Sequence, residues 1–220
     1  MGDNTQFGEG RDADEQAGPG LQAADGRLAG IVLAGGRSRR MGQDKAAMNW
    51  QGEPMLARVV RTIGQRCDPV LVVAPESSSA YQGLFGTGGP EARWITDETP
   101  GTGPLGGLAA GLAAAAESGA EWAFVCATDM PLIEVGLVDE LLRGVTTSAE
   151  AVIAQDNLRV HPMAGVYRTS AAGAIADLVA ADERRMLAAL DVLNTHWVTV
   201  SEGAWLTNVN APEDLHRLRV

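Results

Sequence analysis

The amino-acid sequence predicts an α/β fold in which a doubly wound, mostly parallel sheet lies between two layers of helices. Short apolar segments rich in β-branched residues alternate with segments whose apolar residues recur at helical spacing. This alternation is typical of parallel strands joined by crossover helices. The chain has 220 residues, 45% of them hydrophobic, which is enough to bury the core of an ordinary domain without a disulfide or a structural metal.

The predicted elements follow one another from residue 28 onward. Apolar strands are expected at residues 28–34, 70–74, 92–96, 122–127, 151–153, 163–167 and 197–200. Helical spacing appears over residues 55–63, 106–118, near 170–193 and over 211–218. The stretch from Trp205 is predicted to be one more strand that enters the last helix.

The first 27 residues differ in composition from the rest of the chain. Besides Met1 they hold only two large apolar side chains, Phe7 and Leu21, and most of their charges are acidic. Such a segment cannot bury enough apolar surface to offset the entropy lost on ordering. We expect residues 1–27 to form a disordered acidic tail and residues 28–220 to form a single domain.

Charge and hydropathy argue against several classes of function. The chain has 28 acidic and 17 basic residues, a formal net charge of -11, whereas proteins that wrap nucleic acid or coat anionic membranes need clustered Lys and Arg. The sequence contains no apolar run of about 18 residues and no secretory signal pattern. We expect a cytoplasmic protein without nucleic-acid or membrane partners. Cys126, inside an apolar strand, is predicted to be buried and inert.

The stretch after the first strand combines glycine with positive charge. Gly35 and Gly36 are followed by Arg37, Arg39, Arg40 and Lys45. Adjacent glycines let the backbone approach a ligand and turn N–H groups toward an anion, and the loop that leaves a parallel strand lines the ligand crevice. The stretch is therefore predicted to bind phosphates, although a surface loop with solvated charges is the alternative. It is not a Walker A loop, because Gln-Asp-Lys follows Gly42.

Two carboxylates stand at the ends of later strands. Asp129 follows the strand at 122–127 and is predicted to hold a Mg²⁺ ion that bridges phosphate oxygens in the same crevice. The alternative is that Asp129 forms a turn or caps the helix that begins near Glu134. Asp97 follows the strand that ends at Thr96, where it could accept hydrogen bonds from a base or sugar, or shape the loop.

Two further patterns need interpretation. Residues 101–106 fit G-x-G-x-x-G, but an earlier strand-helix unit precedes them and Pro104 lacks the N–H that a pyrophosphate would need. We therefore do not predict NAD binding. Near the C-terminus, Asn210 could cap the last helix, whereas Asn208 has no assigned structural role.

Together these motifs resemble the molybdenum cofactor guanylyltransferases of the MobA family, within the sugar-nucleotide-pyrophosphorylase-like nucleotidyltransferases. Residues 33–45 match the pattern L-A-G-G-x-S-x-R-M-G-x-D-K, and the resemblance continues through residues 97–108, 128–131 and 208–215. The double glycine favours the guanylyl enzymes, because the related cytidylyl enzymes typically have L-A-A-G. The chain has Val73-Ala74-Pro75 where the family often has an asparagine.

The resemblance implies a Rossmann-like nucleotidyltransferase fold and Mg²⁺-dependent transfer of GMP from GTP to the terminal phosphate of molybdopterin. Pyrophosphate would leave, and molybdopterin guanine dinucleotide would form. The implied GTP contacts are Leu33, Ala34, Gly35, Gly36, Lys45, Asp97 and Asp129, with Asp129 also the metal ligand. The implied catalytic residues, which neutralise charge on the triphosphate, are Lys45, Arg40 and Asp129.

The acceptor side of the implied reaction is placed on fewer residues. Asn208 and Asn210 are assigned to the pterin, beside His161-Pro162. Arg184-Arg185 are candidate phosphate contacts, with a solvated helix face as the alternative. An ionised phosphate is already a nucleophile, so no general base is required. Molybdenum enzymes and other proteins of cofactor biosynthesis are candidate partners.

Two alternatives stay open from the sequence. The first is a cytidylyl- or other nucleotidyltransferase with the same sheet but a different base or acceptor, which base preference in a turnover assay would reveal. The second is a non-catalytic carrier of nucleotide or cofactor.

Overall fold

The computed structural model describes residues 27–35, 48–75, 78, 84, 89–96, 102–209, 214 and 218. The strands are β1 (Leu28–Leu33), β2 (Asn49–Trp50), β3 (Glu53–Pro54), β4 (Val70–Ala74), β5 (Arg93–Thr96), β6 (Trp122–Ala127), β7 (Ala151–Gln155), β8 (Val160–Arg168) and β9 (Thr195–Thr199). The α-helices are α1 (Met55–Ile63), α2 (Gly103–Glu117), α3 (Val135–Arg143), α4 (Ala172–Ala180) and α5 (Met186–Val192).

Within these residues, seven strands form one sheet in the order β5-β4-β1-β6-β8-β7-β9. β1 pairs in parallel with β4 and with β6, whereas β8 runs antiparallel to both β6 and β7. From β1 the chain moves outward through β4 and β5 and then returns to the other side of β1 as β6. Doubly wound sheets bind ligands outside the carboxyl ends of the strands at such a reversal of order.

Two apolar cores, one on each face of the sheet, confirm the three-layer arrangement. On one face α1 and α3 pack against β1, β4 and β6 through residues such as Val59, Leu137 and Phe124. On the other face α2, α4 and α5 cover the same sheet through residues such as Leu108 and Ile175. Every residue of β1, β4 and β6 is buried, which explains why these strands are continuous apolar runs rather than alternating ones.

Helix α2 lies unusually close to the sheet because it presents glycines to it. A Cβ atom on Gly111 would stand 2.7 Å from Cγ2 of Ile31 and 3.2 Å from Cγ2 of Val73. A Cβ atom on Gly107 would stand 3.3 Å from Cδ2 of Leu33. Gly107 and Gly111, which follow the stretch that matches the dinucleotide pattern, therefore serve the packing of α2 on β1 and β4.

The structure adds to the sequence-based expectations, or departs from them, at the following elements. Strand β8 is antiparallel, because the turn between Asp156 and Arg159 is too short for a crossover connection. The predicted strand at Trp205 is a 3₁₀ turn over Gly203–Leu206, begun by the Glu202 carboxylate, which accepts a hydrogen bond from the N–H of Ala204. The helical pattern near residues 170–193 is divided between α4 and α5, with a left-handed residue, Asp182, between them.

The predictions for the tail and for most of the last helix concern residues that lie outside the described part of the chain. Over the ranges that the structure does describe, no helix has the length and apolarity needed to cross a membrane. Cys126 is fully buried, as predicted, and burial raises the pKa of its thiol well above the usual value.

Candidate active site

A cavity of about 300 Å³ opens at the edge of the sheet where β1 and β6 end and β8 begins. β1, β6 and β8 are consecutive in the sheet, so the cavity has one wall from each outer strand and a floor from β6. The lining residues are Leu33, Ala34 and Gly35 after β1, Ala127, Thr128, Asp129 and Met130 after β6, Arg159, Val160, His161, Pro162 and Met163 at the start of β8, and Asn208.

The wall formed by the end of β1 is made of backbone rather than side chains. The N–H of Ala34 donates to the carbonyl of Val73 at 2.9 Å, which extends the β1–β4 pairing by one residue. Gly35 is exposed beyond it. A Cβ atom on Gly35 would meet Cδ of Pro75 at 3.4 Å, an ordinary contact, so packing does not require glycine here. A bare backbone at this point favours close approach of a ligand.

The floor is a loop after β6 that is anchored at several points. The N–H and the hydroxyl of Thr128 both donate to the carbonyl of Leu33, at 3.3 and 3.2 Å. The carbonyl of Asp129 accepts from the N–H of Val209 at 2.7 Å. Nε of Arg58 donates to the carbonyl of Pro131 at 2.6 Å. The loop that carries the half-buried Asp129 is thus held at the cavity by bonds to β1, to Val209 and to Arg58 of α1.

The anchoring also tests the structural alternative for Asp129. Helix α3 begins with Glu134 in the N-cap position, five residues later, and no side-chain hydrogen bond caps it. Asp129 itself lies in a turn, in which the N–H of Met130 donates to the carbonyl of Ala127 at 3.3 Å, and its backbone carbonyl makes the bond to Val209.

The opposite wall is built by an irregularity in β8. Ile153 of β7 pairs with Gly165, but the next residue, Ala154, pairs with His161. Residues 162–164 consequently have no partner on β7 and form a bulge. The hydroxyl of Tyr167, whose pKa is raised by burial, donates to the carbonyl of Pro162 at 2.6 Å. Bulges bend a strand and re-aim its side chains, and they recur beside active sites.

One polar pair stands on this bulged wall. His161, only 8% exposed, shares a hydrogen bond of 2.8 Å between its Nε2 and Oδ2 of Asp156. The other carboxylate oxygen of Asp156 accepts the N–H groups of Leu158 and Arg159 at 2.8 and 2.9 Å. The bond from His161, followed by these two backbone bonds, holds the pKa of the Asp156 carboxyl at about 2.

Similarity to known proteins shows the family to which the chain belongs. Residues 30–195 match the MobA-like NTP transferase domain. The chain belongs to this family. It is 46% identical to a probable molybdenum cofactor guanylyltransferase of Mycobacterium marinum over 191 residues, which are 86% of this chain and 91% of that protein.

Two further relatives agree. A probable molybdenum cofactor guanylyltransferase of Mycobacterium avium is 45% identical over 87% of this chain and 95% of its own length. The crystal structure of molybdopterin-guanine dinucleotide biosynthesis protein A from Archaeoglobus fulgidus superposes with a TM-score of 0.71 at 25% identity, covering 86% of this chain and 95% of that one. The family and the fold class predicted from the sequence are both confirmed.

The cavity of this MobA-like chain brings together the site residues predicted within the described ranges. They are Leu33, Ala34, Gly35, Asp129 and Asn208, with His161 and Pro162 beside them. The other predicted site residues lie outside the described residues; these are Gly36, Arg40, Lys45, Asp97 and Asn210.

Arg184 and Arg185 do not belong to the cavity lining. Arg184 pairs with Asp182 at 2.7 Å and Arg185 with Glu183 at 2.6 Å. Both side chains are largely exposed and pair with acidic residues of their own loop, so their role as phosphate contacts stays a prediction.

Several lining residues were not anticipated from the sequence, chiefly Arg159, Met163 and the supporting Asp156. A signal was present, because Asp156-Asn157 separates two apolar runs and such a pair is typical of a tight turn. That signal would have predicted the β7–β8 hairpin. It would not have predicted that a bulge in β8 aims the hairpin at the cavity, because nothing in the sequence marks the change of register.

The donor set of the cavity can be compared with what Mg²⁺ requires. No group of three or more metal-ligating His, Cys, Asp or Glu side chains occurs in the part of the chain that the structure describes. Mg²⁺ at phosphate-transfer sites is usually held by one or two carboxylates together with substrate phosphates and water. The carboxylate residue Asp129, at this cavity, fits that pattern.

Proposed function

We propose that this protein is a Mg²⁺-dependent guanylyltransferase that transfers GMP from GTP to the terminal phosphate of molybdopterin. Pyrophosphate would be released and molybdopterin guanine dinucleotide formed. The observation that carries the proposal is the order of three neighbouring strands, which places Gly35, Asp129 and His161 around one cavity. Base and acceptor are inferred from the names of the relatives in Mycobacterium marinum and Mycobacterium avium.

The nucleotide belongs on the β1 side. The exposed backbone of Gly35 leaves room for a triphosphate, with Leu33, Ala34 and Gly36 beside it. Arg40 and Lys45 would supply concentrated positive charge in an otherwise acidic chain. Asp97, which follows β5 in sequence, would bind the base or the ribose.

The metal belongs on the floor of the cavity. Mg²⁺ held by Asp129 would neutralise charge at the α-phosphate. The contribution of the protein is position, because the loop of Asp129 is fixed by Arg58, by Val209 and by the Thr128 bonds to β1.

The acceptor belongs on the β8 side, against Asn208, Asn210 and the His161-Pro162 bulge. An oxygen of the terminal phosphate of molybdopterin attacks the α-phosphorus of GTP, and the bond from that phosphorus to the bridging oxygen of pyrophosphate breaks. The attacking oxygen is already ionised, so no proton has to be removed. Catalysis then rests on alignment and charge neutralisation, which is what phosphoryl-group chemistry mainly requires of a protein.

The wider setting of the proposal follows the sequence. We infer that the enzyme acts in the cytoplasm as a single domain over residues 28–220, with residues 1–27 as a disordered tail. Molybdenum enzymes or other proteins of cofactor biosynthesis would take up the product.

The test is pyrophosphate release with Mg²⁺ and molybdopterin, comparing GTP with CTP, ATP and UTP. We expect turnover with GTP alone. Turnover should stop when a chelator removes Mg²⁺ and should return when Mg²⁺ is added back. Turnover with CTP would make the enzyme a cytidylyltransferase on the same scaffold. A folded protein that binds GTP but turns over no nucleotide would instead be a carrier.

A further inference from the structure

The β8 wall contains a pair of side chains to which the reaction described above assigns no specific contact. His161 and Asp156 are joined by a hydrogen bond across the β7–β8 hairpin. The hairpin itself is closed by the N–H of Asp156, which donates to the carbonyl of Arg159 at 3.0 Å. The bulge that follows is fixed by the bond from Tyr167 to Pro162. The imidazole is therefore held by its bond to Asp156 on a backbone that is anchored at the hairpin and at the bulge.

The two ring nitrogens of His161 have different surroundings. Nε2 is engaged by Asp156. Nδ1 makes no hydrogen bond within the described residues. It is also not one of the fully buried atoms there that lack a partner, so it is accessible. Since His161 lines the cavity and Asp156 engages Nε2, Nδ1 is the ring nitrogen with which His161 could bond to a ligand there.

The position of Nδ1 indicates which ligand it meets. The β1 wall and the β8 wall are separated by β6 and the loop of Asp129, so a triphosphate lying on β1 leaves the β8 wall to the other substrate. Arg159 lines the cavity beside His161, which favours an anion there. The Asp156 carboxylate and an anion are both hydrogen-bond acceptors, and each ring nitrogen of an imidazole can carry a hydrogen to donate to one of them.

We propose that Nδ1 of His161 donates a hydrogen bond to the terminal phosphate of the acceptor, and that Asp156 is the positioning residue that orients the ring. The inference rests on the proposed function for the identity of the acceptor. It adds a named contact for the nucleophilic phosphate, on the wall opposite the nucleotide.

Two substitutions of His161 separate this role from a structural one. His161→Gln places its amide near the former Nε2 and can keep the bond to Asp156, whereas His161→Asn places its amide near the former Nδ1. We expect H161Q to raise KM for molybdopterin about 10- to 100-fold, the range expected for losing a charged hydrogen bond, while KM for GTP stays within about twofold. H161N should raise KM for molybdopterin less than H161Q does.

The matched control is His196→Gln on β9, which lies outside the cavity lining and should leave both KM values unchanged. Asp156→Asn should raise KM for molybdopterin less than H161Q does, and adding it to H161Q should have little further effect, because Asp156 acts through His161. The proposal is overturned if H161Q behaves like the wild type, or if KM for GTP rises together with KM for molybdopterin.

A second measurement does not depend on turnover. In protein labelled at histidine, the Cε1–H resonance of His161, assigned with H161Q, is followed by NMR while inorganic phosphate is added as a stand-in for a phosphate monoester. We expect a saturable shift that persists with GTP present and is absent at His196. No saturable shift overturns the proposal. A saturable shift in a protein without any nucleotide turnover would keep this phosphate contact while disproving the guanylyltransferase function.

Discussion

The two walls of the cavity recognise ligands in different ways. The wall after β1 presents backbone, with an exposed glycine next to a strand that is buried along its whole length. The wall from β8 presents side chains on a strand whose regular pairing is interrupted. A buried parallel strand can offer a ligand only its end, whereas a bulged antiparallel strand can turn its own side chains toward it.

The walls also differ in how their parts are distributed along the chain. The β1 wall uses consecutive residues, 33–35, whose neighbours in the sequence carry the positive charge. The β8 wall combines a hairpin turn, a bulge and Asn208, which lies more than 40 residues later. Asp129 stands between the walls and is tied to the β1 side through Thr128 and to the Asn208 side through Val209. Substitutions at the centre and on each wall should therefore have separable effects.

The largest effect is expected at the centre. Asp129→Asn should lower kcat/KM about 10²- to 10³-fold, the range seen when one charge-stabilising group is removed, because it removes the proposed metal ligand without changing size. Pyrophosphate release against Mg²⁺ concentration measures it. Asp177→Asn, an exposed carboxylate on α4, is the control. Unchanged turnover and unchanged Mg²⁺ dependence in D129N would remove Asp129 from the metal site.

The next effect concerns the scaffold of the β1 wall. Gly111→Ala should destabilise the fold by about 1–3 kcal/mol, as overpacking usually does, because its methyl group would press on the fully buried Ile31. Urea unfolding measures the loss. Gly173→Ala, in α4 with nothing within 4 Å of its Cβ position, is the matched control and should be neutral or slightly stabilising. Equal effects would show that α2 does not pack as closely as described.

A smaller effect is expected at the β1 wall itself. Gly35→Ala should leave stability unchanged, because its methyl group meets only Pro75, but should raise KM for GTP about tenfold, roughly 1.4 kcal/mol. KM for molybdopterin should not follow. Gly203→Ala, also unobstructed, should change neither. Parallel rises in both KM values for G35A would mean that the two walls are not separate subsites.

The smallest effect concerns the β8 wall and pH. The pKa of Asp156 is lowered to about 2 from an ordinary 3.8, so its ionised form stabilises the folded state above the ordinary value. This stabilisation is lost as the pH falls toward 2. The stability difference between wild type and Asp156→Asn should be largest above about pH 5 and shrink below it. Urea midpoints from pH 6 down to about pH 3 measure it; a constant difference would mean that the His161 bond does not depend on the carboxylate charge.

The contrast between the walls also explains which parts of the site were predictable. Gly35 and Asp129 follow apolar runs directly, so the strand ends and the crevice between them could be predicted once a doubly wound sheet was inferred. Asp156 and Arg159 could not be placed, because their role depends on a shift of register between Ile153 and Ala154. Arg184 and Arg185 show a related limit: adjacent arginines suggest a phosphate contact, but the sequence did not show that each pairs with an acidic neighbour on the same loop.

The sequence by itself determined the fold class, the two apolar faces of the sheet, the burial of Cys126 and the family, because each of these depends on local composition and spacing. The tertiary structure alone decided that β8 runs antiparallel, that α2 meets the sheet through Gly107 and Gly111, and that the His161–Asp156 pair faces Asp129 and Gly35 across one cavity. These features depend on contacts between residues far apart in the chain. The local pattern of the sequence shows which residues are apolar, whereas the pairing of the strands decides which residues meet at the strand ends.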